Sequence, residues 1–266
     1  MVKVIPWSPF TIAGMRSGIA LLVIFFYDRP KSIKFRKYTV LGAFCYTIMV
    51  ICFIIANKLT SAGNVILIQY AAPLYVAVFS FIFLGERLNK LDWMTIIILI
   101  SGLSLFFFED LSFNHLSGNI FAIFSGFGFA GTILFLRKQK EGRPIDSILL
   151  GNLLTFFICI PFYKDGLTNE PIAWLGIFYL GIVQLGFTYC LYSVAIKYVS
   201  ALDAAIYPVI EPISSPVLAY FILGETMTKY SIVGGSAIIT IVMLRAFLQK
   251  KLKGSKKLNF NTKSPI

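Results

Sequence analysis

The feature that most constrains this chain is the recurrence of apolar runs of about 20 residues, separated by short polar segments. A helix of that length spans the roughly 30 Å hydrocarbon core of a bilayer and satisfies its own backbone hydrogen bonds there. The chain is 58% hydrophobic and only 14% charged, whereas a soluble domain carries about a quarter of charged residues. Transmembrane β-strands would show shorter, alternating segments. The sequence therefore predicts an all-α polytopic membrane protein.

Nine membrane spans are predicted from these runs. They cover residues 9–27, 38–56, 62–84, 92–108, 117–136, 145–163, 173–195, 202–223 and 230–248. The segment 250–266 that follows is polar and rich in lysine.

Positive charge is divided unequally between the two sides of these spans. Of the 24 Lys and Arg residues, Arg16 lies inside a span and 19 lie in the loops of one side or in the tail. The other side has only Lys3, Lys58, Lys164 and Lys229. An excess of Lys and Arg marks the cytoplasmic side. We expect a multi-pass protein of the cell membrane with its N-terminus outside and its C-terminal tail in the cytoplasm.

The net charge of +12 also raises the question of a nucleic-acid partner. Because the basic residues lie in short loops and the tail, membrane orientation explains them better, and no nucleic acid is expected. The four cysteines lie inside apolar segments and are not spaced as metal ligands. With one histidine and no phosphate-binding glycine loop, we expect no enzyme, no catalytic residue, no metal and no cofactor.

An internal repeat divides the chain. A shift of 139 positions aligns Ser61-Ala62 with Ser200-Ala201, Pro73 with Pro212, and Leu84-Gly85-Glu86 with Leu223-Gly224-Glu225. The two Leu-Gly-Glu turns fall on opposite sides of the membrane, so the halves form an inverted-topology repeat. We assign residues 1–110 to the first repeat, with four spans, and 111–249 to the second, with five. An inverted pair needs an odd number of helices in each half, so ten spans are expected and the first is missing.

These motifs resemble the EamA-type branch of the drug/metabolite transporter superfamily. The resemblance rests on Ala72 to Trp93 (APLYVAVFSFIFLGERLNKLDW), Glu211 to Gly235 (EPISSPVLAYFILGETMTKYSIVGG) and Gly14 to Gly18 (GMRSG). It implies ten helices in two five-helix halves around a central cavity, and secondary transport of small organic metabolites by alternating access. The alternative is a truncated or non-transporting membrane interaction protein of the same fold, because the absent helix helps to build that cavity.

Candidate substrate-binding residues are polar side chains placed inside the spans, where exposure to lipid is costly. The stretch 202–225 carries Glu211 beside three prolines, which open the helical hydrogen-bond ladder. Tyr207 shares a face with Glu211, and Gln184 and Thr188 form a similar stripe. The expected set is Arg16, Gln69, Tyr70, Gln184, Thr188, Tyr207 and Glu211.

The roles of the two charged residues stay open at this stage. Glu211 could bind a substrate ammonium, take up a coupled proton, or form a structural pair with Arg16. Arg16 could bind a substrate carboxylate, anchor Glu211, or extend toward the outer surface. An acid and a base together would suit a zwitterion such as an amino acid. For the uncharged candidates, hydrogen bonding between helices is the alternative.

Six further residues are expected to be structural. Glycine permits a tight reversal after a helix, and a carboxylate at that position can cap the N-terminus of the next helix. Proline opens the helix near its centre. The set is Pro73, Gly85, Glu86, Pro212, Gly224 and Glu225.

Overall fold

The structure, a computed structural model, describes residues 2–3, 5–30, 34–108, 115–165, 167, 170–214 and 228–261. The regular elements among these residues are helical, which confirms the predicted all-α class. In chain order they are α1 (Pro9–Asp28), α2 (Lys37–Leu59), α3 (Ala62–Gln69), α4 (Ala72–Leu84), α5 (Lys90–Phe106), α6 (Leu116–Lys138), α7 (Pro144–Cys159) with a 3-10 turn (Ile160–Asp165), α8 (Pro171–Tyr179), a π-helix (Leu180–Phe187), α9 (Thr188–Ala195), α10 (Ala201–Ile206) with a 3-10 turn (Tyr207–Val209), and α11 (Lys229–Asn261).

Seven stretches of the described residues are long and apolar enough to cross a bilayer. They are Pro9–Asp28, Lys37–Leu59, Ala62–Leu84, Leu116–Lys138, Pro144–Tyr163, Pro171–Ala195 and Lys229–Gln249. The predicted span 92–108 corresponds to α5, which has 17 residues. The predicted span 202–223 is described only as far as residue 214. The chain is a multi-pass membrane protein.

The repeat seen in the sequence has a structural counterpart in how two helices begin. The Ser61 hydroxyl accepts a hydrogen bond from the backbone N–H of Asn64 (3.1 Å), and the Ser200 hydroxyl accepts one from Asp203 (3.1 Å). Both serines are N-caps that satisfy an otherwise unpaired donor of the first turn. The same shift of 139 positions relates both pairs.

The helices that follow these caps are interrupted at matching places. In the first repeat the chain turns between α3 and α4 at Tyr70, shortly before Pro73. In the second, the 3-10 turn after α10 ends at Val209, three residues before Pro212. Because Tyr70 and Val209 are also 139 positions apart, the breaks share one register and follow from the same local sequence.

The chain forms two compact units that draw on both repeats. The first comprises Met1–Arg87 and Glu109–Ala205, and the second Leu88–Phe108 and Ile206–Ile266. The compact units are defined by contacts between helices, whereas the predicted repeats are defined by sequence similarity. The two divisions therefore describe different properties of the chain.

In the first unit, α2 lies against α6 with almost no space between the backbones. A Cβ atom at Gly128 would lie 2.7 Å from the Met49 nitrogen and 2.8 Å from the Cys45 carbonyl oxygen. The neighbouring α7 comes equally close, because a Cβ at Gly151 would lie 3.0 Å from the Ala43 oxygen. Small residues at such crossings permit the van der Waals contact that holds membrane helices together. Helix α2 is therefore fixed along its length by two neighbours.

In the second unit, α5 and α11 are joined by packing and by charge. A Cβ atom at Gly234 would lie 2.5 Å from the Gly102 oxygen, so these two backbones also touch. Arg245 donates to Asp92 at 2.6 Å, and both side chains are buried. Asp92 also accepts from the backbone N–H of Asn89 (2.7 Å), completing a capping box at the start of α5.

We predict that Gly128→Ala lowers the free energy of unfolding by about 1–3 kcal/mol, because the added methyl must displace backbone atoms of α2. Thermal unfolding in detergent measures this. Gly142→Ala is the matched control, since its nearest heavy atom is Gln139 O at 3.5 Å. An equal melting temperature for the two variants would contradict the predicted close packing.

Candidate functional site

Arg16 lies in the middle of α1 and is 2% exposed. Its Nη1 donates to the Oε1 of Gln184 at 3.2 Å, and its Nη2 donates to the carbonyl oxygen of Val50 at 3.4 Å. The guanidinium therefore joins α1 to α2 and to the π-helix, all within the first unit. Two of the sequence candidates, Arg16 and Gln184, are thus in direct contact.

Among the described residues, Arg16 forms no ion pair. Its Nε likewise has no hydrogen-bond partner there. The described ionisable side chains that interact with it electrostatically are Tyr46, Tyr189 and Cys159, and none of these three is a carboxylate. A buried cation usually requires a paired anion. Arg16 is consequently suited to an anionic ligand.

Two tyrosines that the sequence analysis did not single out stand beside Arg16. Tyr46 on α2 is fully buried, and its hydroxyl accepts from the Asn152 amide at 3.1 Å. The ring of Tyr189 meets that of Tyr46 edge to face, with centroids 5.0 Å apart. The sequence feature that could have indicated this region is a polar residue inside an apolar span, such as Asn152 in α7. The two rings therefore pack beside Arg16 in the edge-to-face orientation that aromatic pairs favour.

Gln184 lies in the π-helix Leu180–Phe187, between α8 and α9. π-helical turns are rare and occur frequently at functional sites. A Cβ atom at Gly181 would lie 2.9 Å from the carbonyl oxygen of Arg16 itself. The π segment therefore packs directly against the turn of α1 that carries the cation.

Gln184 and Thr188, which are predicted as one stripe, have different hydrogen-bond partners, as does Tyr192 one turn further along. The Thr188 hydroxyl donates to the Val183 carbonyl at 2.8 Å within its own helix, and its side chain is exposed. The Tyr192 hydroxyl donates to the Ala204 carbonyl at 2.9 Å. The i, i+4 rule assumes 3.6 residues per turn, and the π-helix changes that spacing. Only Gln184 of the three bonds to Arg16.

Gln69 and Tyr70 lie where α3 ends and the chain turns into α4. The Gln69 amide donates to the Ser125 hydroxyl (2.9 Å), which in turn donates to the Met49 carbonyl (3.1 Å). The buried ring of Tyr70 lies edge to face with Phe129. Both candidates thus contribute hydrogen bonding or packing between helices in the first unit.

Tyr207 and Glu211 belong to the second unit. Tyr207 begins the 3-10 turn Tyr207–Val209 and is partly buried. Glu211 lies in the helical stretch 210–214, and its side chain is exposed, whereas the adjacent Pro212 is buried. Their roles in binding stay predictions.

The first Leu-Gly-Glu turn has an unexpected partner. Gly85 has φ 68, the left-handed conformation in which glycine avoids the penalty of a Cβ. Glu86 does not cap the helix that follows, because Asn89 does so. Its carboxylate accepts instead from the backbone N–H of Ala201 (3.2 Å), the first residue of α10, and pairs with Arg137 (3.4 Å). The second turn, with Gly224 and Glu225, lies outside the described residues.

Arg137 extends this connection to a third helix end. Its Nη1 donates to the carbonyl oxygens of Ile196 (3.0 Å) and Lys197 (2.9 Å), just after α9. A cation is favourable near the C-terminus of a helix, and an anion near an N-terminus. The Glu86–Arg137 pair therefore joins the ends of α4, α6 and α9 to the start of α10.

Sequence comparison places the chain in a family. The profile of the EamA-like transporter family matches residues 2–108 and 116–247, which is nearly the whole sequence. The chain belongs to the EamA-like transporter family. This EamA-like protein is a membrane transporter of the drug/metabolite transporter superfamily, and the resemblance seen in the Leu-Gly-Glu turns is confirmed.

Relatives and a solved structure agree with that assignment. An uncharacterized transporter of Archaeoglobus fulgidus is 28% identical over 210 residues, covering 77% of this chain and 75% of the relative. The threonine/homoserine exporter RhtA of Escherichia coli K12 is 22% identical over 260 residues, covering 94% and 86%. One crystal structure superposes with a TM-score of 0.77 at 16% identity, covering 93% of this chain and 90% of the other. The last comparison shows a shared fold.

We predict that Glu86→Ala lowers the free energy of unfolding by about 1–2 kcal/mol, because the backbone N–H of Ala201 loses its acceptor and Arg137 loses its ion pair. Thermal unfolding in detergent tests this expectation. Glu170→Ala is the control, since Glu170 precedes α8 as an N-cap without a side-chain cap bond. The assignment is wrong if Glu170→Ala is as damaging as Glu86→Ala.

Proposed function

We propose that this EamA-like transporter carries small amino acids across the cytoplasmic membrane, with Arg16 binding the substrate carboxylate. The observation that supports the proposal is a fully buried guanidinium that forms no ion pair with any residue that the structure describes. Transport proceeds by alternating access, as the inverted repeat implies. Substrate sites in such proteins lie near the membrane midplane, where helices are broken, and Arg16 contacts an irregular helix.

The chemistry of Arg16 favours a carboxylate over other ligands. Guanidinium has five N–H donors in a planar fork, which matches the two oxygens of a carboxylate. Among the described residues its acceptors are two neutral oxygens, from Gln184 and Val50. A bound carboxylate would accept from the remaining donors and supply the missing negative charge. Hydrogen bonds to charged groups contribute about 1.5–3 kcal/mol each.

The choice of amino acids has one further source of support. RhtA is named for threonine and homoserine, whose carboxylates are of the kind that Arg16 would bind. The role of Glu211, a carboxylate within the predicted eighth span, is a separate proposal. It is our candidate for the group that takes up a coupled proton.

We predict that Arg16→Gln removes discrimination between threonine and threoninamide, which lacks the carboxylate charge. In proteoliposome counterflow of radiolabelled threonine, the parent protein should prefer unlabelled threonine as competitor by about 10- to 100-fold. Arg16→Lys should keep part of that preference, because it retains the charge without the planar fork.

Arg36→Gln is the matched control for this experiment, since Arg36 is an exposed N-cap without a side-chain cap bond. It should compete as the parent protein does. Preference for threonine over its amide that survives in Arg16→Gln would overturn the proposed carboxylate site. An absence of counterflow for every amino acid in the parent protein would favour a non-transporting role.

We predict that Glu211→Gln inserts normally but loses transport driven by a pH gradient. If Glu211 carries the coupled proton, counterflow at equal pH should survive, because exchange needs no net proton movement. Counterflow that is also lost would contradict the assignment of proton coupling alone. Gradient-driven uptake equal to that of the parent protein would remove Glu211 from the mechanism.

A further inference from the structure

Thr188 makes a hydrogen bond of unusual register at the end of the π-helix. Its backbone N–H is shared between the carbonyl oxygens of Leu185 and Val183, and its hydroxyl donates to Val183, five residues earlier, at 2.8 Å. In an ordinary α-helix the backbone N–H bonds four residues back. The Val183 carbonyl thus receives two bonds with the five-residue spacing of a π-helix.

Other helical hydroxyls of the chain behave differently. Several donate to the carbonyl four residues earlier, the usual local bond for Ser and Thr inside a helix. They include Thr47, Thr132, Thr155, Ser236 and Thr240. Among the described residues, the five-residue bond of Thr188 therefore differs from these usual bonds.

We propose that Thr188 is a positioning residue for the substrate site, because its hydroxyl stabilises the π turn that directs Gln184 to Arg16. The inference deepens the proposed function and rests on it. Thr188 is not assigned contact with the substrate. Its side chain acts through the backbone of Val183 and the orientation of Gln184.

The geometry of the helix gives the reason. Gaining or losing one π turn changes the helical phase by one residue, which is about 100° of rotation in an α-helix. Gln184 lies inside the π segment, so a return to α-helical spacing would turn its amide away from the guanidinium. The Arg16 Nη1 would then lose its acceptor at 3.2 Å.

The packing of the segment makes this coupling local. A Cβ atom at Gly181 would lie 2.9 Å from the carbonyl oxygen of Arg16. A Cβ atom at Gly186 would lie 2.8 Å from the Cβ of Val23, further along α1. The π segment therefore packs against α1 at both of these positions. A change in its number of residues per turn would displace the turn of α1 that carries Arg16.

The test is a double-mutant cycle on reconstituted transport. Thr188→Val keeps the shape and removes the hydroxyl, and it should raise the KM for threonine about tenfold with little change in maximal rate. Thr188→Ser should restore the parent KM. In a Gln184→Met background, Thr188→Val should have no further effect, because two residues that act through one interaction are not additive.

Thr240→Val is the control, since Thr240 is also exposed but bonds four residues back, to Ser236. Hydrogen exchange of residues 180–187 gives a readout independent of transport, and it should be faster in Thr188→Val only. An additive cycle or unchanged exchange would overturn the positioning role. Failure of the carboxylate site would appear separately, as retained threonine preference in Arg16→Gln.

Discussion

The buried charge of Arg16 constrains how the helices of the first compact unit pack around it. Removing a cation from water costs several kcal/mol, even after the protein relaxes around it. Here the cost is offset only in part, by the neutral oxygens of Gln184 and Val50. Among the described residues, the surrounding helices hold the cation in place through these two neutral acceptors. The negative charge that we propose for this site is the carboxylate of the substrate.

Helix α2 supplies much of that rigidity. The carbonyl oxygen of Met49 accepts a hydrogen bond from the Ser125 hydroxyl. The carbonyl oxygen of the next residue, Val50, accepts one from Arg16. The first belongs to the network at the break between α3 and α4, and the second to the cation. A shift of α2 against α6 would therefore disturb both sites at once. The contact at Gly128 makes such a shift costly, because backbone atoms rather than flexible side chains meet there.

Local patterns in the sequence predict much of this fold. The first predicted span, 9–27, is observed as Pro9–Asp28, because an apolar run bounded by Ser8 and Pro9 contains its own start signal. The repeat predicts the shared register of Ser61 and Ser200, since N-caps depend on neighbouring residues. Interactions that depend on distant residues could not be predicted in this way.

The partner of Glu86 illustrates that limit. Ala201 is 115 residues away, so the sequence near Glu86 suggested the adjacent helix instead. The π-helix could not be predicted from the sequence either, because its residues have the same composition as any apolar span. In this part of the chain Gln184 bonds to Arg16, whereas the Thr188 hydroxyl bonds to the Val183 carbonyl. For Tyr46 the fold was needed, since its neighbours Asn152 and Tyr189 come from other helices.

The ion pair between α5 and α11 has a consequence for how the protein is made. Asp92 and Arg245 are 153 residues apart, so a ribosome adding about 5–20 residues per second leaves roughly 8–30 s between their syntheses. During that interval Asp92 already has one bond, from the backbone of its own capping box. The ion pair of the second unit cannot form until α11 has been made. A chain released before that point would leave the Asp92 carboxylate without its cation, which is costly for a group that is otherwise buried.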